Sequence, residues 1–386
     1  MPIDDRNFIL TLQGRGLPTF IKNTYLQKAK FHQHFQEPIK MRFRRIIQIP
    51  IFSPKNVGLI TSGGLGDQVN ALLVVNSLEA ELKASIRFHP QTNSATNFFS
   101  ATLLFPDIQL CKRCLKRKTF HRFLLRTRLE FKETVIRHET SYLPSILPKQ
   151  IITSDQAEIT ILNKTNLMYP VFGGLVSDLS ISKGYSRLDL LARSLGVQTI
   201  VWPKIKSMNF DNYFGSEFEY ITIHDGIDPS QKSRGISTKQ LDADTWNRII
   251  LEIKYHYPLI KIVQLGTDRS QRLTNVDLDL RGLTTLDDVL NILYNSKLHI
   301  DGDSGIARCA RVLGVPLVTF FLSTSPDYYG LPGAEVVGPK FCGSCSWWSN
   351  ETWNFDCLLG MSTPICRKTF PWEEIVRRAD KYLSKI

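Results

Sequence analysis

A chain of 386 residues is too long for one ordinary hydrophobic core, so two domains are expected. Its 42% hydrophobic and 22% charged residues are those of a water-facing globular protein, and no run of roughly 18 uncharged apolar residues is present to cross a bilayer. A net charge of +12 predicts a phosphate-rich partner, whether nucleic acid, an anionic membrane surface or a phosphorylated glycolipid, and charge alone does not choose among them. The first residues, MPIDDRNFILTLQGRGLP, carry acids where a secretory signal carries positive charge, so a cytoplasmic protein is expected. Four of the seven cysteines cluster near the C-terminus, which in a reducing compartment points to metal in preference to disulfides.

Residues 1–55 show no clear period and hold a basic run from Lys40 to Arg45, so they read as an appendage. From Asn56 the pattern changes. NVGLIT is a β-branched run, SGGLGD a glycine turn, and the helix that follows carries Val69, Leu72, Val75, Leu78 and Leu82 on one face. Strand SIRFHP and an apolar helix over LDLLARSLGV complete a first Rossmann-like half, 56–205, and an aperiodic link follows near Pro203 to Glu217. The second half, 218–386, alternates strand EYITIH, helix DADTWNRIILEIKYHY, strand IKIVQL, helix TLDDVLNILYNS, strand KLHID, helix GIARCARVLG and strand VPLVTFF. Alternation at this spacing predicts an α/β fold with parallel sheets, and two such halves leave a ligand cleft between the carboxyl ends of their strands.

Five groups of residues bear on chemistry. Gly63, Gly64 and Gly66 precede Asp67 at the first strand–helix turn. They let backbone approach a ligand closely, and the helix starting around Asp67 aims free N–H groups outward. A carboxylate there suits a general base, while the local pattern by itself favours a plain N-cap. In the second half, Asp301, Gly302, Asp303, Ser304 and Gly305 lie between strand and helix, one turn before Arg308. That segment suits a pyrophosphate held by amides, helix dipole and guanidinium, and suits an ordinary turn and cap at least equally. Lys239, seven residues before Trp246, is placed to neutralise a departing diphosphate, although a lone loop lysine is more often only solvated. Cys342, Cys345, Cys357 and Cys366 have the number and compactness of a four-thiolate site for zinc first and iron second, against four unrelated thiols. Cys111 and Cys114 lack two nearby partners and read as free thiols. The stretch Lys112 to Arg128 holds eight Lys or Arg among aromatic and aliphatic residues, which fits anionic lipid, phosphorylated sugar, or a solvated face.

Taken in order, SGGLGD, KQLDADTW, LRGLTTLDDVLNIL and DGDSGIARCARVLGVPLVTFF resemble glycosyltransferase family nine, the ADP-heptose-dependent heptosyltransferases of bacterial lipopolysaccharide assembly. The resemblance runs from about Asn56 to the C-terminus and is densest between Ile221 and Thr324. It implies a glycosyltransferase-B fold, with two Rossmann-like domains facing a central cleft, and transfer with inversion and without a catalytic metal. It places the catalytic aspartate on Asp67, a nucleotide-contacting lysine on Lys239, and the donor pyrophosphate at Asp303, Ser304 and Gly305. Arg308 stands where the family usually has histidine, and Asp268 is the nearest counterpart of its acidic ribose contact. The implied partners are a nucleotide-sugar donor and a phosphorylated glycolipid or glycan acceptor at the cytoplasmic face of the inner membrane, with no nucleic acid. The branch acting on autotransporter proteins is similar in having a four-cysteine iron site after the second sheet, though its spacings differ. A protein O-heptosyltransferase and a non-catalytic nucleotide-sugar binder are the alternatives, and a nucleic-acid-binding protein leaves the two Rossmann-like halves unexplained.

Overall fold

The computed structural model describes residues 56–61, 65–82, 85–90, 109–110, 134–138, 181–182, 184–194, 197, 199–203, 213–215, 218–225, 237–345 and 357–385. The appendage, Gly63, Gly64, Cys111, Cys114, the basic stretch Lys112 to Arg128 and much of the link lie outside the described residues, as does the side chain of Asp67.

In the first half, strands β1 (Asn56–Thr61), β2 (Ser85–Pro90), β3 (Gln109–Leu110) and β4 (Thr134–His138) form a sheet ordered β3-β2-β1-β4, parallel at every pairing. Helix α1 (Leu65–Leu82) is the crossover that parallel β1 and β2 require. It begins two residues ahead of Asp67, so Asp67 lies within the first turn and does not precede it as a cap. Helix α2 (Arg187–Ser194) follows, opened by Ser186 and Asp189, whose side chains bond reciprocally across the first turn.

The second half contains β5 (Tyr220–Ile223), α3 (Ala243–His256), β6 (Lys261–Gln264), β7 (Leu278–Asp279), α4 (Leu286–Tyr294), β8 (His299–Asp301), α5 (Gly305–Val312), β9 (Leu317–Phe320), α6 (Pro326–Tyr329), β10 (Glu335–Val337), α7 (Ile365–Lys368) and α8 (Glu373–Leu383). Its six strands are ordered β10-β9-β8-β5-β6-β7 and are parallel throughout. Read from the other edge, this is the 3-2-1-4-5-6 succession of a doubly wound sheet, and the strand order reverses between β5 and β8. β7, β10 and α8 were not expected from the pattern; the first two are short edge strands with little periodicity to read.

Local chemistry explains the helices. α3 is capped by Asp242, which accepts from the Thr245 amide at 2.8 Å, and Lys254 and His256 complement the dipole in its last turn. α4 starts with a reciprocal capping box between Thr285 and Asp288. Both faces of the larger sheet are covered. On one, Trp246, Ile249, Ile250 and Ile253 of α3 pack with Ile375, Val376 and Ala379 of α8 over Ile221, Ile223, Ile262 and Ile300. Each such large side chain contributes about 1.5–3 kcal/mol by leaving water. On the other face α4 and α5 share a core with Val69, Leu72 and Leu73 of α1 and Leu188 of α2. The first half is thus joined to the second by apolar packing at α5. No helix among the described residues is long and apolar enough to cross a membrane.

Candidate active site

Where the strand order reverses, two side chains meet at the carboxyl ends of β5 and β8. His224 Nδ1 lies 3.0 Å from Asp301 Oδ1, and both are buried. Asp301 is also approached by His299 Nε2 at 3.2 Å, and it accepts from the Gly302 amide at 2.6 Å and from the Ser304 hydroxyl. Beyond His224, buried Asp225 accepts from the Gln271 amide at 2.7 Å and from Gln240 Nε2 at 3.2 Å. Burial by itself would push the His224 imidazole down, but the Asp301 and Asp225 carboxylates outweigh it and hold it up at about 9. Burial would likewise raise Asp301, and the imidazole groups of His224 and His299 more than reverse that, holding it well below the usual carboxylate range. Sequence reasoning missed His224, Asp225 and His299. The available signal was a histidine and an aspartate closing the first strand of a doubly wound half, where a buried polar residue faces the ligand crevice.

Ser304 connects this network to the next. Its hydroxyl caps α5 by accepting from the Ala307 amide at 3.1 Å. Beside it, Asp303 holds two cations at once, with Lys239 Nζ 3.2 Å from Oδ2 and Arg308 Nη1 3.2 Å from Oδ1. The carboxylate and guanidinium are buried, whereas the lysine side chain keeps 22% of its surface exposed. Burial would raise the Asp303 carboxyl, but Lys239 and Arg308 hold it below its ordinary value. Arg308 Nη1 also bonds the Ser304 carbonyl at 3.1 Å, and its buried Nε has no hydrogen-bond partner among the described residues. Two cations, an unmatched guanidinium N–H and the start of a helix, whose first amides lack intrahelical acceptors, form an anion-binding arrangement. The three charged side chains sum to one positive charge.

The two glycine turns touch. A β-carbon on Gly305 would lie 2.8 Å from the Gly66 amide nitrogen and from Leu65 Cβ, and one on Gly66 would lie 3.1 Å from Arg308 Cδ. Glycine at both places therefore lets α1 and α5 begin against each other, and Asp67 follows directly on Gly66. Gly305→Ala is expected to be the more damaging substitution, because its methyl group meets backbone, while that at Gly66 meets a flexible side chain. Overpacking here should destabilise by about 1–3 kcal/mol, read by denaturant melts.

The structure thus brings together Gly66, Lys239, Asp303, Ser304, Gly305 and Arg308. It does not bring in Asp268, which is exposed on the loop after β6, against Gly282, and bonds none of them. Away from this cluster, Cys342, Cys345, Cys357 and Cys366 gather near one another. Burial pushes the Cys345 thiol up to about 12, and Cys342, Cys366 and Cys357 act in the same direction. Burial raises Cys366 to about 11, reinforced by Cys342 and Cys357. The chain bends tightly between the first two, with positive φ of 64°, 111° and 53° at Cys342, Gly343 and Ser344. Among the described residues, no three Cys, His, Asp or Glu side chains are arranged as a closed ion site.

No known protein family and no curated protein matches the sequence. Solved structures do match in fold. The iron-containing heptosyltransferase TibC in complex with ADP-D-beta-D-heptose superposes with a TM-score of 0.56 at 12% identity, over 87% of this chain and 78% of that one. The iron-containing dodecameric glycosyltransferase TibC from enterotoxigenic E. coli H10407 gives 0.53 at 13% identity, over 88% and 81%. E. coli ADP-heptose lipopolysaccharide heptosyltransferase II gives 0.50 at 14% identity, over 86% and 99%. With its two parallel sheets and the helices that cover them, the chain has the α/β glycosyltransferase-B fold of the heptosyltransferases.

Proposed function

We propose that the protein is an inverting glycosyltransferase that moves a sugar, heptose from ADP-heptose in the first instance, to a hydroxyl of a bacterial surface glycan such as lipopolysaccharide core. The observation that carries this reading is the pair of cations on one buried carboxylate at the start of α5, directly against the turn that leads into Asp67. The fold shared with proteins named as heptosyltransferases supports the same class of donor.

In this mechanism Asp67 takes the proton of the acceptor hydroxyl as its oxygen attacks the anomeric carbon. The bond from that carbon to the diphosphate oxygen breaks on the opposite face, which inverts the centre. The electron pair leaves with the diphosphate, where Lys239, Arg308 and the first amides of α5 take up its charge, a role that a divalent ion fills in other transferases. Asp303 keeps the two cations apart and in place before the donor arrives. The acceptor enters from the cytoplasmic face of the inner membrane, with the basic stretch Lys112 to Arg128 against anionic lipid.

The four cysteines supply soft donors of the type that suits zinc or iron, and Cys342, Cys345, Cys357 and Cys366 would hold such an ion. Bound there, it would tie the C-terminal segment together and take no part in transfer. Elemental analysis should find about one ion per chain, and a chelator should lower the melting temperature, since structural metal binding is linked to folding.

The experiment that tests the function is a thermal-shift panel of nucleoside diphosphates and their sugars, followed by transfer to deacylated lipopolysaccharide core. A selective shift with ADP and ADP-heptose is expected, of order RT ln(1 + [L]/Kd) in stability. A shift with GDP or UDP alone would reassign the donor. Binding without transfer to glycan or protein acceptors would leave a non-catalytic binder.

A further inference from the structure

The segment that carries the four thiols is bolted to the turn that carries Lys239. Arg367, the residue after Cys366 in α7, is buried, and its guanidinium donates from Nε to the Gln240 carbonyl at 2.9 Å and from Nη2 to the Ser237 carbonyl at 2.5 Å. These two carbonyls bracket Lys239. Within the turn the Lys239 amide donates to Ser237 Oγ at 3.3 Å, and the Ser237 amide donates to Gln240 Oε1 at 3.0 Å. A planar guanidinium spanning two carbonyls fixes both the position and the tilt of the peptides between them, which an ammonium cannot do. Nearby, Asp242, the cap of α3, offsets part of the cost of burying this charge. Ser237 and Gln240 are themselves buried, and the Ser237 carbonyl also accepts from the Gln240 amide at 3.0 Å, so loss of the guanidinium would take one of two bonds from that carbonyl and the Arg367 bond from the Gln240 carbonyl, out of reach of water.

We propose that Arg367 is the positioning residue for Lys239, and that through it the cysteine segment governs how firmly the diphosphate-facing lysine is held against Asp303. Arg367 acts through the Ser237 and Gln240 carbonyls. It sets the turn from which Lys239 reaches 3.2 Å to Asp303, and Cys366 is the thiol that shares its short helix. For its effect on the diphosphate this inference rests on the transferase reading above, but for its effect on Lys239 it stands alone.

The test is amine labelling of the full-length protein with a limiting amount of an acylating ester, read residue by residue by mass spectrometry. Lys297, paired with Glu219 at the start of the same sheet, serves as the internal control. Arg367→Ala should raise the labelling rate of Lys239 relative to Lys297 by at least about tenfold, the scale of losing one charge-assisted hydrogen bond, and Arg367→Lys should raise it by less. The lysine variant keeps the charge and the aliphatic stem, so the test holds even where the alanine variant does not fold. ADP affinity should weaken in step while adenosine affinity stays unchanged, a split that general loosening of the fold would not give. Cys366→Ser should raise Lys239 labelling in the same direction. Unchanged Lys239 labelling in folded Arg367→Lys and Arg367→Ala would overturn the assignment, and unchanged labelling in Cys366→Ser would remove the thiols from it. If the unaltered protein binds no nucleoside diphosphate, the transferase reading fails, while the labelling still decides the role of Arg367.

Discussion

Asp67→Asn is expected to lower turnover about a thousandfold, in the middle of the range for removing a positioned general base, while leaving ADP affinity within about twofold. The asparagine has the same volume and can still occupy the first turn of α1, so the helix and its contact with Gly305 are kept. What it cannot do is accept the proton that the acceptor hydroxyl must lose. At the other side of the glycine contact, Arg308 belongs to α5 and Lys239 to the turn before α3, and neither is altered, which is why binding and chemistry should separate. Calorimetric titration of ADP together with single-turnover transfer from ADP-heptose measures both. Retained turnover would remove Asp67 from the role of base, and parallel loss of ADP binding would mean that the substitution had disturbed the α1–α5 contact.

The second large effect concerns the buried network of His224, Asp225, His299 and Asp301 at the carboxyl ends of β5 and β8. Asp301→Asn is expected to destabilise the protein by about 3–5 kcal/mol, because it strands the buried His224 imidazolium and weakens the hold on Ser304. The same network makes stability depend on pH. His224 is held up at about 9 against an ordinary 6.5, so its contribution is fully present below 6.5 and is lost as pH rises through about 9. That contribution is of order 3 kcal/mol, shared with Asp301 and Asp225, the two carboxylates that face the ring. Asp301 is held below its ordinary value, so its contribution is present above the usual carboxylate range and is lost only as pH falls through the lowered one. Melting temperature should therefore be highest near pH 5 to 6.5 and should fall towards pH 9. In His224→Gln the alkaline fall should flatten at a lower level of stability. An unchanged slope in that variant would show that another group is responsible.

Much of the fold was legible because its elements announce themselves locally. β5 and β9 are short runs of apolar and β-branched residues buried throughout, as strands covered on both faces must be, and α3 and α4 combine a helical apolar period with caps at Asp242 and Thr285. Edge strands β7 and β10 are too short to show a period, and α8 was overlooked although its apolar face is regular. Among the site residues, Lys239, Asp303, Ser304 and Arg308 could be named from order and spacing, but the tie between them could not. Asp303 is read from the sequence as a residue of the pyrophosphate site, and the folded chain adds that its carboxylate pairs with both Lys239 and Arg308.

The sequence by itself determined the alternation of strands and helices, the two glycine turns at the heads of α1 and α5, and the types of side chain that stand there, since each is written within a few consecutive residues. Only the tertiary structure decided that the two turns meet, that His224 and Asp301 pair across the reversal of the sheet, and that Arg367 braces a lysine more than a hundred positions earlier, at 2.5 and 2.9 Å from the carbonyls on either side of it. Those contacts join residues far apart along the chain. They depend on strand order and on how α1 packs against α5, and neither leaves a mark in local composition.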